Sequence, residues 1–120
     1  DSIAMGVKYP NANEITADVT FGAAHYHVPN VVTATSVITL PGVAVGQAWW
    51  VICGADGVGI TLSPASGDKW LLAIDGAASA DNKDVILAAG TAKKGDFIRF
   101  EYGSGDGFQI SQTAGTWSDE

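Results

Sequence analysis

The stretch that constrains this chain most is residues 48–53, Ala-Trp-Trp-Val-Ile-Cys. Side chains of a strand alternate between its faces, so Trp49, Val51 and Cys53 point one way, and Trp50 and Ile52 the other. Both faces are apolar. A strand of this kind needs cover on both sides, from its own domain or from another copy of the chain. Trp49, Trp50 and Ile52 are therefore expected in the core or in an interface between copies. Burying each large apolar side chain is worth about 1.5–3 kcal/mol, and leaving several exposed invites association.

The rest of the chain is punctuated by turns. The β-prone runs 15–21 and 26–28 are separated by small residues and stopped by Pro29, which predicts an edge hairpin. Residues 31–40 are rich in Val, Thr and Ile, end at Pro41-Gly42 and predict one continuous strand. Runs 49–53 and 60–63 flank Gly-Ala-Asp-Gly-Val-Gly, a hairpin pattern. Further strands are expected at 70–74, 85–89, 97–102 and after the glycine-rich turn that ends at Gly107. Phe97, Arg99 and Glu101 alternate with Ile98, Phe100 and Tyr102, which marks a half-buried antiparallel strand. Turn signals recur roughly every 8–12 residues, the spacing of an all-β antiparallel sandwich of jelly-roll type or a small barrel. Residues 77–89 offer the best helical pattern, but Asn82, Asp84 and the small residues near Ser79 make a poor helix interior.

With 120 residues, the chain suits a single domain, read as residues 15–120 after a turn-rich lead-in segment or linker, residues 1–14. Hydrophobic residues form 47% and charged residues 16% of it, which excludes intrinsic disorder. The net charge of −7 opposes a nucleic-acid partner, because phosphate binding needs a basic footprint. No apolar run approaches the roughly 20 residues of a membrane-spanning helix, so no membrane insertion is expected. The start shows no basic region followed by a long apolar one. Beginning at Asp1 without an initiator methionine, the chain reads as a fragment or processed product of a longer protein. Cys53, the one cysteine, reads as a small buried hydrophobe.

In sequence order, ADVTF, a small-residue turn with HYHV, VTATSVITLP, AWWVIC, GVGITLSPASGD, IDG, AKKGDFIRFEY and GFQISQTAGTW together resemble small β domains of bacteriophage tail fibres and tailspikes. The likeness covers residues 17–117. The chain departs from the pattern after Gly67-Asp68, where Lys69-Trp70 stand in place of an aliphatic residue and glycine, and aliphatic-Asp-Gly comes instead at Ile74-Asp75-Gly76. The resemblance implies a distal domain of a homotrimeric fibre in the virion tail, serving trimerisation, contact with bacterial surface polysaccharide or lipopolysaccharide, or both. A depolymerase, where such proteins carry one, sits in a long β-helix elsewhere in the parent. The alternative is a secreted bacterial carbohydrate-binding or adhesin module.

Candidate sites divide by chemistry. Sugar stacking needs exposed aromatic rings beside loop polar groups, and Trp70, Tyr102, Phe108 and Trp117 lie near turns, with Trp117 favoured. His25 and His27 would face the same way on a strand; the resemblance adds that some fibre tips hold iron between such pairs on a threefold axis. Two histidines on the polar face of an edge strand is the simpler account. Asp75, Asp81, Asn82 and Asp84 offer oxygen ligands for calcium, though without the EF-hand spacing. Gly54, Gly57 and Gly59 precede a strand rather than a helix, so no phosphate cradle is expected. No Ser/His/Asp motif, G-x-S-x-G or zinc signature points to catalysis. The acids beside glycine (Asp56, Asp68, Asp75, Asp96, Asp106) are expected to serve turns.

Overall fold

A computed structural model describes residues 12–42, 47–104 and 107–120, and of Ser104 the backbone alone. These residues form eleven strands in two sheets, with no α-helix among them. The strands are β1 Asn13–Ile15, β2 Val19–Thr20, β3 Pro29–Val32, β4 Ser36–Thr39, β5 Ala48–Cys53, β6 Ile60–Ser63, β7 Lys69–Leu72, β8 Val85–Leu87, β9 Phe97–Ser104, β10 Gly107–Ala114 and β11 Trp117–Asp119. A single 3₁₀ turn spans Ala23–His25. The six-stranded sheet runs β1-β3-β5-β9-β10-β7, and the five-stranded sheet β11-β8-β6-β4-β2. None of the described helical turns is long and apolar enough to cross a membrane.

The all-β expectation stands, but the antiparallel one does not. Five of the nine strand pairings are parallel: β1 with β3, β3 with β5, β2 with β4, β4 with β6, and β10 with β7. From β1 to β9 the chain changes sheet at every step, so odd strands stack in one sheet and even strands in the other. The first six strands thus make three stacked rungs. Their second strands share a pattern in register, with Val19-Thr20-Phe21 beside Ile38-Thr39-Leu40 and then Leu62-Ser63-Pro64.

Three expected elements fail for one reason, that hydroxyls and inward side chains turn the chain from sheet to sheet. The run 31–40 breaks at residues 33–35, where Ser36 Oγ donates to the Ala34 carbonyl at 2.7 Å and Thr35 Oγ1 accepts the Gly59 amide at 3.1 Å. These side-chain bonds replace ladder bonds at the corner. The 49–53 and 60–63 runs form no hairpin; β5 and β6 lie in different sheets. Val58 in their connection is buried (8% exposed) and plugs the end of the core, where a hairpin would have turned it outward. Gly54 fits there because a Cβ would lie 2.9 Å from both Val31 Cγ1 and the Val32 carbonyl oxygen. The edge hairpin expected over 15–28 is likewise absent: β1 and β2 are in different sheets, and the 3₁₀ turn follows. Among the described residues sheet structure starts at Asn13, inside the segment read as a linker, whose residues 1–11 lie outside those described.

The expected β9–β10 hairpin forms, with β10 antiparallel to β9. Ile98 and Phe100 are buried while Arg99 is exposed, as the alternation predicts. The inner face of the larger sheet carries an aromatic row over four neighbouring strands: Trp49 on β5, Phe100 on β9, Phe108 on β10 and Trp70 on β7. Ring centroids along it are 5.2–6.1 Å apart, at edge, tilted or stacked angles. Ile38, Ile60, Leu62, Val85 and Leu87 of the other sheet join the same core cluster. Trp70 Nε1 donates to the Lys83 carbonyl and Trp117 Nε1 to that of Ala114, while Trp49 Nε1 is buried without an acceptor.

Asn30 is the polar hub of the first rungs. It is fully buried and its Nδ2 donates to the carbonyls of His25, Val28 and Trp50 at 3.1–3.2 Å. Its Oδ1 accepts from Nδ2 of Asn13, its in-register neighbour on β1, at 2.9 Å. Replacing Asn30 with Ala strands these groups and is expected to cost about 2–3 kcal/mol in urea unfolding. Phe100→Ala opens the middle of the aromatic row and is expected to cost about 3–5 kcal/mol in the same measurement.

Candidate functional site

On β5 the two tryptophans part company. Trp49 is 2% exposed in the aromatic row, whereas Trp50 and Ile52 are half-buried on the outer face of the larger sheet. Much of the apolar surplus that the sequence presents is therefore absorbed within one chain. Arg99 on β9 stands directly opposite Trp50, with its guanidinium carbon 4.1 Å from the indole centroid. Such a cation–π contact contributes about 0.5–1 kcal/mol at an exposed site and shields the ring from water.

This pair forms one wall of an open cleft of about 280 Å³, lined also by His27, Ala48, Glu101 and Ser111. The alternation of β5 and β9 sends Trp49 and Phe100 inward, so the main chain of those residues floors it. Register places Glu101 opposite Ala48, one step along the same face from Arg99. Ser111 on β10 donates its hydroxyl to the Arg99 carbonyl at 3.2 Å, and its oxygen keeps its lone pairs as acceptors. His27 reaches the rim because its backbone is left-handed (φ 60) and its amide donates to the Ala48 carbonyl at 3.0 Å. Asn30 holds the Trp50 carbonyl from the adjacent strand. The cleft thus combines an aromatic platform, a cation, a carboxylate, an imidazole and a hydroxyl within one face. Those groups suit a ligand with apolar CH patches and many hydroxyls.

Three of the four aromatic residues expected to stack on sugar are closed to it. Trp70 and Phe108 have no exposed surface and Trp117 only 6%, because all three belong to the core cluster. Tyr102 is half-buried and lies outside this cleft. Nearness to a turn in sequence does not set direction: the positions of Trp70, Phe108 and Trp117 on β7, β10 and β11 direct these rings inward.

The histidines do not share a strand. His25 closes the 3₁₀ turn, stacks on Phe21 at 4.4 Å, and its Nδ1 accepts the Gly22 amide at 2.9 Å. His27 follows in the turn and packs edge-on to Tyr26. The two-apart geometry argued for a metal pair, and for a polar edge strand, is absent. Among the described residues no group of three or more His, Cys, Asp or Glu is placed to hold a metal ion.

In the loop over residues 75–84, two side chains accept backbone amides and a third pairs with a lysine. Asp75 Oδ1 accepts from Ala77 and Asn82 Oδ1 from Gly67, while Asp81 pairs with Lys69 at 3.8 Å. The turn role expected for acids is wider than local geometry, since Asp56 accepts the amide of Lys94, and Asp119 accepts those of Ile74 and Asp75. Asp96 accepts the amide of Lys93; Asp106 lies outside the described residues. Asp119→Ala releases two charge-assisted bonds and is expected to cost about 1–3 kcal/mol of stability, read by thermal unfolding. Searches for similar proteins found no family model, curated protein or solved structure that matches the chain.

Proposed function

We propose that this chain is the non-catalytic distal domain of a bacteriophage tail fibre or tailspike, attaching the virion to bacterial surface polysaccharide or lipopolysaccharide. The observation that carries this reading is the Trp50–Arg99 cleft. Arg99 donates to sugar hydroxyls, Glu101 accepts from them, and Trp50 supplies apolar surface for the CH groups of a pyranose. The two sheets pack as a sandwich around the common core. Binding needs no metal or cofactor in this scheme, and no residue is assigned a catalytic role.

Homotrimer formation belongs to the same proposal. Val31, Ile52 and Phe97 lie in register across β3, β5 and β9, all half-buried on the outer face beside the cleft. This short apolar row gives symmetry mates a surface to share. The second reading, a monomeric secreted bacterial carbohydrate-binding or adhesin module, is favoured by a different observation. Among the described residues, the large hydrophobic side chains that are well exposed are Val37 and Leu72, at 42% and 39%.

Light scattering at micromolar concentration separates the two. A mass of three chains is expected from the fibre reading, and a mass of one chain transfers the polysaccharide site to the secreted module. A glycan array tests the site itself. Trp50→Ala and Arg99→Ala are each expected to weaken binding about tenfold or more, whereas Leu72→Ala on the far edge strand leaves it unchanged. Equal binding by all three variants would remove the cleft from the function.

A further inference from the structure

Arg99 is the one arginine of a chain that carries 13 acidic residues against 6 basic ones. Carboxylates are plentiful, yet among the described residues Arg99 forms an ion pair with none of them. Lys69 takes Asp81, and Glu101, the next residue on the same face of β9, lines the cleft without an ion pair of its own. Arg99 reaches across to Trp50 on β5 rather than along its own strand to Glu101. The cleft therefore holds a cation and a carboxylate that do not neutralise each other.

Three contacts order the cation. Its guanidinium carbon lies over the Trp50 ring at 4.1 Å, and the Trp50 carbonyl is itself held by Asn30 Nδ2 at 3.2 Å. The third contact comes from β10, where Ile110 faces Phe100 and Gln112 faces Arg99, so that Ser111 is the extra residue of a bulge. Bulges re-aim side chains, and this one brings the Ser111 hydroxyl to the Arg99 carbonyl at 3.2 Å. A guanidinium laid on an aromatic ring gives one face to the ring, while its N–H groups, which lie in its own plane, stay free to donate. That planar fork matches the two oxygens of a carboxylate through parallel bonds, a geometry and a charge that a lone hydroxyl does not supply.

We infer that the cleft selects a glycan unit bearing a carboxylate, such as a hexuronic acid, and that Arg99 sets this specificity. The inference rests on the polysaccharide reading of the same cleft. The acid meets the Arg99 fork, Trp50 covers CH groups of the ring, and Glu101 accepts from hydroxyls remote from the acid. Glu101 also fixes the orientation, because an acid turned toward it meets a like charge. The net charge of −7 does not oppose the contact, since salt screens charges more than about 8 Å apart at physiological ionic strength.

A glycan array printed in matched pairs tests this on the whole chain, each bacterial polysaccharide fragment that contains uronic acid standing beside its carboxyl-reduced, neutral form. The acidic member is expected to bind about 10–100-fold more tightly than the reduced one. Arg99→Gln, on an exposed position of the outer face, is expected to bind the two members alike, and Arg99→Lys, which keeps the charge without the fork, to retain only part of the difference. Equal binding of the two members by the unaltered chain overturns the inference, and so does an acid preference that survives in Arg99→Gln. Tighter binding of phosphate-bearing glycans than of uronic ones overturns the carboxylate assignment. Binding confined to neutral glycans overturns this inference and leaves the polysaccharide reading standing, whereas an array on which nothing binds takes down both.

Discussion

Stability and site both hang on the contact between Trp49 and Phe100. The two rings stack across β5 and β9 at 5.4 Å, and Phe108 and Trp70 extend the row to β10 and β7. This row joins strands that are far apart in the sequence, and it fixes which residue of β9 faces which residue of β5. One step along, the same register sets Arg99 over Trp50. Shifting it by a single residue would send Phe100 to solvent and Arg99 into the core. The outer cleft is thus a by-product of inner packing.

The polar bonds divide their labour by place. Inside, Asn30 binds three carbonyls and Asn13, fixing the turn after β2 against β5. Elsewhere, carboxylates take backbone amides from distant parts of the chain: Asp119 reaches Ile74 and Asp75, Glu120 reaches Asp84, and Asp18 reaches Val37. Part of the acidic excess of the composition is therefore structural. A chain with so few regular hairpins needs such ties, because its connections cross between sheets rather than closing on a neighbouring strand.

What was legible in the sequence is what alternation alone decides. The all-β class, the grouping of Trp49, Val51 and Cys53 on one face, and the faces of β9 follow from period two and turn chemistry. Topology was not legible, because the corner at Thr33–Ser36 carries the same β-branched residues as the strands on either side. Nor were the rungs, since their motif is three residues long and spaced unevenly. The site is not legible there: Trp50 is expected in the core or an interface, and Arg99, Glu101 and Ser111 join it only through the pairing of β5, β9 and β10. The rings chosen for stacking failed because nearness to a turn says nothing about which way a strand residue points.

Cys53 ends β5 fully buried, its thiol turned to the carbonyls of Ala55 and Val58 and its main chain tied to Gly95 and Asp96. No reagent reaches that sulfur while the junction of β5, its following turn and the β8–β9 connection stays shut. The rate at which a thiol dye labels the chain is therefore a clock for transient opening at that junction, and the chain carries it without any engineered probe.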